Sequence, residues 1–313
     1  MHVIHSAQDI SSRLSRSAVA IGNFDGVHLG HQKLISQLVS YASAGNLAPV
    51  ILTFYPHPVE VLRPGTKLER LTSTSEKLGF FESLGVEFTL VQSFSSEIAK
   101  LSPAAFFQRY LIETLKASAI HVGDGFVFGK GRAGNTEILK KLCESAKVEL
   151  NLEPPFEFEG EKVSSTLIRH LLIEGNVEKA ERLLSRPYLI SGPVLHGDNR
   201  GVHLGFPTAN IHFPAEKVLP KNGVYVTRAT WQKQAFLSVT NVGVRPTFHE
   251  QEVSPTVETH LIDFTASLYD EFLQLEFLSR LRDEKKFESK EALISQIKSD
   301  VQFARGMAWK NST

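Results

Sequence analysis

The first half of the chain alternates short apolar runs with longer amphipathic segments, and this alternation limits the possible folds more than any other feature. The predicted strands cover residues 18–21, 50–54, 88–91, 120–122 and 148–152, and the predicted helices cover residues 29–44, 76–84, 104–115, 136–146, 166–174 and 177–184. Strands and helices that alternate along a chain form a mostly parallel sheet with helices on its faces. The sequence therefore predicts an α/β domain in this half.

The pattern changes after Arg186 and Pro187. Strand-like segments now follow one another without helices, with Gly and Pro between them. These segments are YLISGPVL, TANIHF, GVYVTRATW, AFLSVTNVGV, TVETHLIDF and FLQLEFLSRL. Closely spaced strands of this kind are typical of an antiparallel sheet or barrel. We therefore predict two domains, residues 1–186 and 187–313, the second of which ends in an amphipathic helix.

Charge and cysteine content exclude several kinds of partner and site. The chain has 313 residues, with 34 Lys plus Arg against 34 Asp plus Glu, so its formal net charge is zero. A nucleic-acid partner would favour a basic surface, and we expect none. Cys143 is the only cysteine, which rules out an intrachain disulfide and a thiolate metal cluster. No apolar run approaches the ~18 residues of a membrane span, so we expect a cytoplasmic protein; self-association stays open.

A glycine-rich connection, GNFDGVHLGH, joins the first predicted strand to the first predicted helix. It contains Gly22, Gly26 and Gly30 together with His28 and His31. A helix N-terminus binds anions, glycines let a phosphate approach the backbone, and histidines donate hydrogen bonds to phosphate oxygens. A phosphate site and an ordinary glycine-rich turn, in which Asp-Gly is a common pair, both explain the segment. The spacing differs from the dinucleotide pattern GxGxxG, and no third ligand at zinc-like spacing accompanies the two histidines.

The same segment resembles the HxGH element by which nucleotidylyltransferases bind ATP phosphates, in the long form found in prokaryotic FAD synthetases. The segments TFYPHP, VGDGFVFGKGRAG and VSSTLIR also agree with that family. In VSSTLIR, Ser164 or Ser165 is a good N-cap for the following helix. Arg169 would project from the first turns of that helix, where a guanidinium can hold a leaving pyrophosphate by two hydrogen bonds. Taken alone, this segment is also explained by a capped surface helix with a solvated arginine.

The resemblance to FAD synthetases implies a Rossmann-like N-terminal domain with defined site residues. It implies catalytic, charge-stabilising roles for His28, His31 and Arg169. The residues that it places at bound ATP or FMN are Gly22, Asn23, Phe24, Asp25, Gly26, Gly30, Ser164, Ser165 and Thr166. The implied reaction transfers AMP from ATP to FMN. The FMN phosphate is itself the nucleophile, so no protein nucleophile is needed.

The segment GVHLGFPTAN, residues 201–210, carries a second candidate site. If residues 206–213 form a strand, Thr208 and Asn210 point to the same side. A hydroxyl and an amide oxygen can together ligate Mg²⁺ beside ATP phosphates. Glu258 lies inside another strand-like run, where glutamate is depleted unless it faces water or has a function. Each of these residues, taken singly, is also explained by an exposed polar strand face.

This second site resembles that of riboflavin kinases. The matching segments, in order, are LGFPTAN, NGVYV, NVGVRPTF, VETHLIDF and LRDEKKF. The resemblance implies a small antiparallel β-barrel with a C-terminal helix. The residues implied to bind Mg–ATP are Gly205, Phe206, Pro207, Thr208 and Asn210, with Thr208 as a magnesium ligand. Glu258 is then the general base that takes the proton of the riboflavin 5′-hydroxyl.

Together the two resemblances cover nearly the whole chain and imply the family of bifunctional prokaryotic riboflavin kinase/FMN adenylyltransferases. Such an enzyme phosphorylates riboflavin to FMN and adenylylates FMN to FAD, with ATP, Mg²⁺ and the flavins as its small-molecule partners. The chain departs from the family patterns at Gly125, where a polar residue is usual, and at Val127 and Val202, where arginine is usual. An enzyme with one disabled site, a flavin-binding sensor and a different adenylylating enzyme are the alternatives.

Overall fold

The chain divides into two compact units, Met1–Ser165 and Thr166–Thr313. The computed structural model describes residues 1–66, 68–196, 201, 204–246 and 253–307. The predicted domain boundary after Arg186 lies further along the chain, beyond two helices of the second unit, and it stays a prediction. Within the described ranges, every helix is too short or too polar to cross a membrane.

The first unit alternates strands and helices, as the sequence predicts. Its strands are β1 (His2–Ile4), β2 (Ser17–Ile21), β3 (Ala48–Tyr55), β4 (Phe88–Ser93), β5 (Ala117–Gly123) and β6 (Glu149–Glu153), followed by a two-stranded ribbon of β7 (Glu157–Phe158) and β8 (Glu161–Lys162). Its helices are α1 (Ala7–Ser11), α2 (Leu29–Ala44), α3 (Pro58–Leu62), α4 (Thr74–Ser83), α5 (Ser96–Ala99), α6 (Pro103–Phe106) and α7 (Thr136–Ala146), with a π-helical segment at Phe107–Thr114 and a 3₁₀ turn at Lys130–Arg132.

Strands β1 to β6 form one parallel sheet in the order β1-β4-β3-β2-β5-β6. The predicted strands are confirmed, and β1 is an additional strand that the sequence did not predict. After β2, the chain adds β3 and then β4 on one side of that strand. It then crosses over and adds β5 and β6 on the other side of β2. Open parallel sheets bind ligands where this direction changes, at the carboxyl ends of the strands. The fold therefore places a binding crevice beside the ends of β2 and β5.

Both faces of the sheet are covered. Along β2, Ala18 and Ala20 belong to one core cluster with residues of α2 and α4, whereas Val19 and Ile21 belong to another that includes residues of α1 and α7. Successive side chains of a strand point to opposite faces, so each strand must be apolar on both. This explains why the parallel strands are near-continuous apolar runs in the sequence.

Helix α2 begins directly after the glycine-rich connection, and its bounds agree with the predicted helix. Leu34, Ile35, Leu38 and Ala42 are its buried residues and form one stripe at the spacing of a helix face. The side chain of the N-cap residue His28 accepts a hydrogen bond from the helix backbone. The N-terminus of α2 therefore follows the carboxyl end of β2, with a motif histidine as its cap.

The second unit contains a closed antiparallel barrel. Its strands are β9 (Tyr188–Leu195), β10 (Ala209–Ile211), β11 (Gly223–Trp231), β12 (Gln234–Pro246), β13 (Val253–Leu261) and β14 (Phe272–Arg282), and its helices are α8 (Ser165–Glu174), α9 (Val177–Leu184) and α10 (Lys290–Gly306). The strands close in the order β10-β13-β12-β11-β14-β9. The predicted antiparallel barrel and terminal helix are confirmed.

A buried ion pair fixes α10 to the barrel. Nη2 of Arg282 lies 2.7 Å from Oδ2 of Asp300, and the two side chains are only 15% and 7% exposed. We expect Asp300→Ala to lower the free energy of unfolding of the second unit by about 3–5 kcal/mol, because the guanidinium stays buried without its partner. Urea unfolding followed by circular dichroism measures this change.

An exposed ion pair on the same helix is the matched control. Arg305 of α10 lies 2.6 Å from Asp263, but the two side chains are 50% and 76% exposed. Arg305→Ala removes this pair and should change the free energy of unfolding by only about 0–1 kcal/mol. Equal losses in the two variants would show that burial is not what makes the Asp300 pair important.

Candidate active sites

The connection between β2 and α2 is held in a constrained backbone conformation. Phe24, Gly26 and Val27 have φ angles of 49°, 82° and 40°. Glycine adopts such angles without steric cost, so the positive φ angle alone is a reason for glycine at position 26. Phe24 is buried, and its ring makes edge contacts with Phe81 at 5.6 Å and with His31 at 5.2 Å between centroids. These contacts anchor the loop in one conformation.

The two motif histidines lie against each other at the start of α2. The ring centroids of His28 and His31 are 3.7 Å apart and the planes are 18° from parallel. Burial is the main cause that holds the pKa of His31 well below its usual value, and His28 and Lys77 lower it further. The His31 ring is therefore neutral at physiological pH. Its Nδ1 atom is buried with no hydrogen-bond partner among the described residues.

Asp25 holds the loop to the segment that precedes α4. Its carboxylate accepts hydrogen bonds from the backbone N–H groups of Leu71 at 3.0 Å and Thr72 at 3.1 Å. The backbone carbonyl of Asp25 also accepts a hydrogen bond from the Ser165 hydroxyl at 2.8 Å. The HxGH and VSSTLIR segments, which are far apart in sequence, therefore meet at this loop.

Lys77 of α4 supports the same loop, a role that the sequence did not predict. Its Nζ donates to the Asn23 carbonyl at 2.9 Å and to the Thr53 hydroxyl at 3.3 Å. Burial is the main cause that lowers the pKa of Lys77 to about 8; Asp25 opposes the shift and Arg70 adds to it. A lone lysine on an amphipathic helix is no sequence signal for such a role.

This lowered pKa makes the stability of the first unit depend on pH. The unfolded chain keeps the Lys77 proton up to about pH 10.5 and the folded unit loses it near pH 8, so the folded state binds fewer protons between these values. Stability therefore rises with pH in that range. We expect the free energy of unfolding of wild type, relative to Lys77→Met, to rise by about 3 kcal/mol from pH 8 to pH 10.5 in urea titrations. The control is Lys140→Met, at an exposed position of α7, whose stability should depend on pH as that of wild type does. If the stability of Lys77→Met rose with pH as much as that of wild type, Lys77 would not be the group that causes the pH dependence.

Two clefts open at the carboxyl ends of the strands and share a wall. The histidine cleft, of about 220 Å³, is lined by both motif histidines. The aromatic cleft, of about 310 Å³, has five phenylalanines among its lining residues: Phe54, Phe94, Phe106, Phe126 and Phe128. The residues that line both clefts are Ile21, Gly22, Asn23, Gly125 and Phe126. A ligand in one cleft therefore lies next to a ligand in the other, at the switch point of the sheet.

Six of the twelve predicted residues of the first site come together at the histidine cleft. Those that line it are Gly22, Asn23, Phe24, His28, Gly30 and His31. Among the described residues, Asp25 and Gly26 are not part of its lining; the Asp25 carboxylate and the Gly26 N–H are instead bound to residues 71–72. Ser164 precedes α8 and Ser165 begins it, whereas Thr166 and Arg169 belong to the second compact unit.

Sheet register gathers three polar side chains in the barrel. Glu258 on β13 lies opposite Asn210 on β10 and opposite Asn241 on β12. Directly opposed residues on neighbouring strands project to the same face, so the carboxylate is flanked by two amides. The sequence did not predict Asn241 as a site residue, although asparagine is depleted in strands just as glutamate is, and that signal could have found it.

Two pockets adjoin this row of side chains. The carboxylate pocket, of about 380 Å³, is lined by Glu258 and Asn241 and by apolar residues of α10. The loop pocket, of about 260 Å³, is lined by residues 264–269 after β13. Thr208 lines both pockets, whereas Asn210 lines neither within the described part of the chain. The two pockets of the barrel therefore meet at one shared residue, whereas the two clefts of the first unit share five.

The LGFP segment is held beside Glu258. Phe206 lines the carboxylate pocket and Pro207 lines the loop pocket, while Gly205 is outside both linings and has a φ of 82°. Nδ1 of His260 donates to the Pro207 carbonyl at 2.8 Å, and its ring lies 5.4 Å from that of Phe206. The segment is thereby fixed to β13. Position 202, where the chain departs from the kinase pattern, lies outside the described residues.

Comparison with known proteins gives a match for each unit. The FAD synthetase family model matches residues 10–167, and the riboflavin kinase family model matches residues 184–308. The bifunctional riboflavin kinase/FMN adenylyltransferase of Buchnera aphidicola subsp. Schizaphis graminum is 35% identical over 97% of this chain and 98% of its own length. The Bacillus subtilis protein of the same description is 35% identical over 97% of this chain and 96% of its own length.

A solved structure also matches this chain over nearly its full length. A crystal structure described as that of a macrolide-efflux protein from Streptococcus pneumoniae has a TM-score of 0.89 and 33% sequence identity, and the match covers 98% of this chain and 99% of that chain. The two proteins therefore share the fold of both units.

Proposed function

Because this chain belongs to the family of bifunctional riboflavin kinase/FMN adenylyltransferases, we propose that each compact unit performs one of two successive ATP-dependent reactions. The second unit transfers the γ-phosphoryl group of ATP to riboflavin, which gives FMN and ADP. The first unit transfers AMP from a second ATP to FMN, which gives FAD and pyrophosphate. The observation that supports this division is that each unit has two adjoining pockets with a shared wall. Each reaction joins two large substrates at a single phosphorus atom.

In the barrel, the position of Glu258 indicates which of the two pockets binds the flavin. It lines the carboxylate pocket, so riboflavin binds there with its 5′-hydroxyl at the carboxylate, and the ATP nucleoside occupies the loop pocket. The γ-phosphate then lies at Thr208, which lines both. Glu258 takes the hydroxyl proton as the oxygen attacks the γ-phosphorus and ADP leaves. Positioning of the two substrates and stabilisation of charge supply most of the catalysis in such transfers.

Magnesium is part of this proposal. The Thr208 hydroxyl and the Asn210 amide are oxygen donors, which Mg²⁺ prefers, and Mg²⁺ commonly takes only one or two protein ligands beside the phosphates. Thr208 is the ligand that the pocket geometry favours, because it reaches both pockets. When bound, the ion would neutralise charge on the β- and γ-phosphates.

In the first unit, the positions of the two histidines indicate which of the two clefts binds ATP. ATP binds in the histidine cleft, with its phosphates at the N-terminus of α2 and at His28 and His31. The flavin ring of FMN stacks in the aromatic cleft, and its phosphate reaches the α-phosphorus at the shared wall. The histidines donate to the oxygens that gain charge as pyrophosphate leaves.

The cellular setting belongs to the same proposal. Both reactions consume ATP, and we place them in the cytoplasm with small molecules as the partners. A formal net charge of zero gives no electrostatic reason for a nucleic-acid partner.

Product analysis tests both assignments. Riboflavin with ATP and Mg²⁺ should yield FMN and then FAD, and FMN with ATP and Mg²⁺ should yield FAD directly, both separated by chromatography. Excess EDTA should stop both reactions. FMN that accumulates without FAD would overturn the assignment of the first unit. Riboflavin that stays unchanged while added FMN is converted would overturn the assignment of the second.

A further inference from the structure

The side-chain amide of Asn23 is in conflict with its neighbour. Its Nδ2 lies 2.9 Å from Nε2 of His57, and its Oδ1 is buried with no hydrogen-bond partner among the described residues. His57 is the N-cap of α3, and its Nδ1 accepts a hydrogen bond from the Val59 backbone N–H at 3.2 Å. Because Nδ1 is an acceptor in this contact, it carries no proton.

The proton of the neutral His57 ring must then be on Nε2. Burial is the main cause that lowers the pKa of His57; Arg70 adds to the shift and Asp25 and Glu60 oppose it. The ring is therefore neutral at pH 7 and carries one proton. An Nε2–H facing an amide nitrogen places two donors against each other.

A half-turn of the Asn23 amide removes both problems. The oxygen and nitrogen of an asparagine side chain are assigned by the hydrogen bonds that they make. With Oδ1 toward His57, the Nε2–H has an acceptor and the buried oxygen has a partner. The amide nitrogen then takes the buried position of the unpaired oxygen. Asn23 lines both the histidine cleft and the aromatic cleft, so the contact with His57 fixes a residue of their shared wall.

We propose that His57 is a positioning residue, which holds Oδ1 of Asn23 and so fixes Asn23 in the wall shared by the two clefts. This inference rests on the proposed function, in which the FMN phosphate meets the α-phosphorus of ATP at that wall. A wall that is fixed in position holds the two reacting phosphate groups in the geometry that the transfer needs. His57 is outside the lining of both clefts within the described residues, so it acts through Asn23.

Two neutral substitutions separate positioning from capping. The short amide of His57→Asn replaces Nδ1 and keeps the cap, but it lacks the reach to Asn23. The longer amide of His57→Gln replaces Nε2 and keeps a donor for Asn23, but it loses the cap. We expect kcat for FAD formation from FMN to fall about tenfold or more in His57→Asn, with little change in KM, and to stay closer to wild type in His57→Gln. The opposite ranking would show that His57 only caps α3.

A double-mutant cycle tests whether His57 acts through Asn23. In an Asn23→Ala background, His57→Asn should cause no further loss of kcat, because the amide that it positions is gone. Independent, additive losses would overturn the proposal. Riboflavin phosphorylation by the same chain is the internal control and should be equal in all these variants.

The tautomer can be observed without turnover. Long-range ¹H–¹⁵N NMR spectra of the full chain, labelled with ¹⁵N-histidine, distinguish the protonated from the unprotonated ring nitrogen, and His57→Asn assigns the signals. We expect Nε2–H at neutral pH. An Nδ1–H ring would overturn this proposal even in an enzyme that makes FAD. A chain with Nε2–H that makes no FAD would instead overturn the proposed function and leave the amide orientation intact.

Discussion

Replacing Glu258 by glutamine is expected to lower the rate of riboflavin phosphorylation by about 10²–10⁴-fold, while FAD formation from added FMN continues at the wild-type rate. Glutamine has nearly the same shape, so it still fits between Asn210 and Asn241, where the strand register places residue 258. Its amide cannot accept the proton of the attacking hydroxyl. Initial rates of FMN and FAD formation, measured separately by chromatography, check both parts of this expectation.

A second carboxylate in the barrel provides the control. Glu276 on β14 is bound to Arg228 and is outside the lining of both pockets among the described residues. Glu276→Gln makes the same chemical change away from the substrates, and it should leave the rate of phosphorylation nearly unchanged. If Glu258→Gln kept most of its kinase rate, positioning and charge stabilisation would suffice, and the proton would leave by another route.

The secondary structure was predictable because its signals are local. The predicted helices at 29–44, 136–146 and 177–184 have the bounds that the structure shows, since each carries an apolar stripe and a stop within its own sequence. Strand β1 has only three residues and exists by pairing with β4, whose sequence lies far along the chain. No local pattern indicates such a strand.

The candidate sites were predictable only in part, because their contacts are not local. The HxGH resemblance predicts Asp25 as a ligand residue, whereas its carboxylate is occupied by backbone groups 46 residues away. The pairing of Glu258 with Asn241 depends on the register of two strands. Gly30 is explained partly by packing, because a Cβ there would lie 3.2 Å from Cβ of Phe156 and 3.3 Å from Cε1 of His28. The motifs that line the clefts were therefore predictable from local sequence, and the partners that orient them were not.

Removal of the His28 imidazole is expected to lower the rate of FAD formation from FMN by about 10²–10³-fold, because it removes one donor to the phosphoryl group in transfer. Riboflavin phosphorylation should be unaffected. His28 also caps α2, so a loss of rate in His28→Ala alone would be ambiguous. Asparagine is a good N-cap, and His28→Asn therefore keeps the helix start while it removes the ring.

The two His28 variants should lose the same activity but differ in stability, with His28→Ala about 1 kcal/mol less stable than His28→Asn in urea unfolding. His5→Asn changes an exposed histidine that is outside the lining of both clefts among the described residues, and it should retain both activities. FAD formation that survives in His28→Asn but not in His28→Ala would mean that His28 acts only by ordering the start of α2. The donors to the phosphates would then be the backbone N–H groups of that helix and His31.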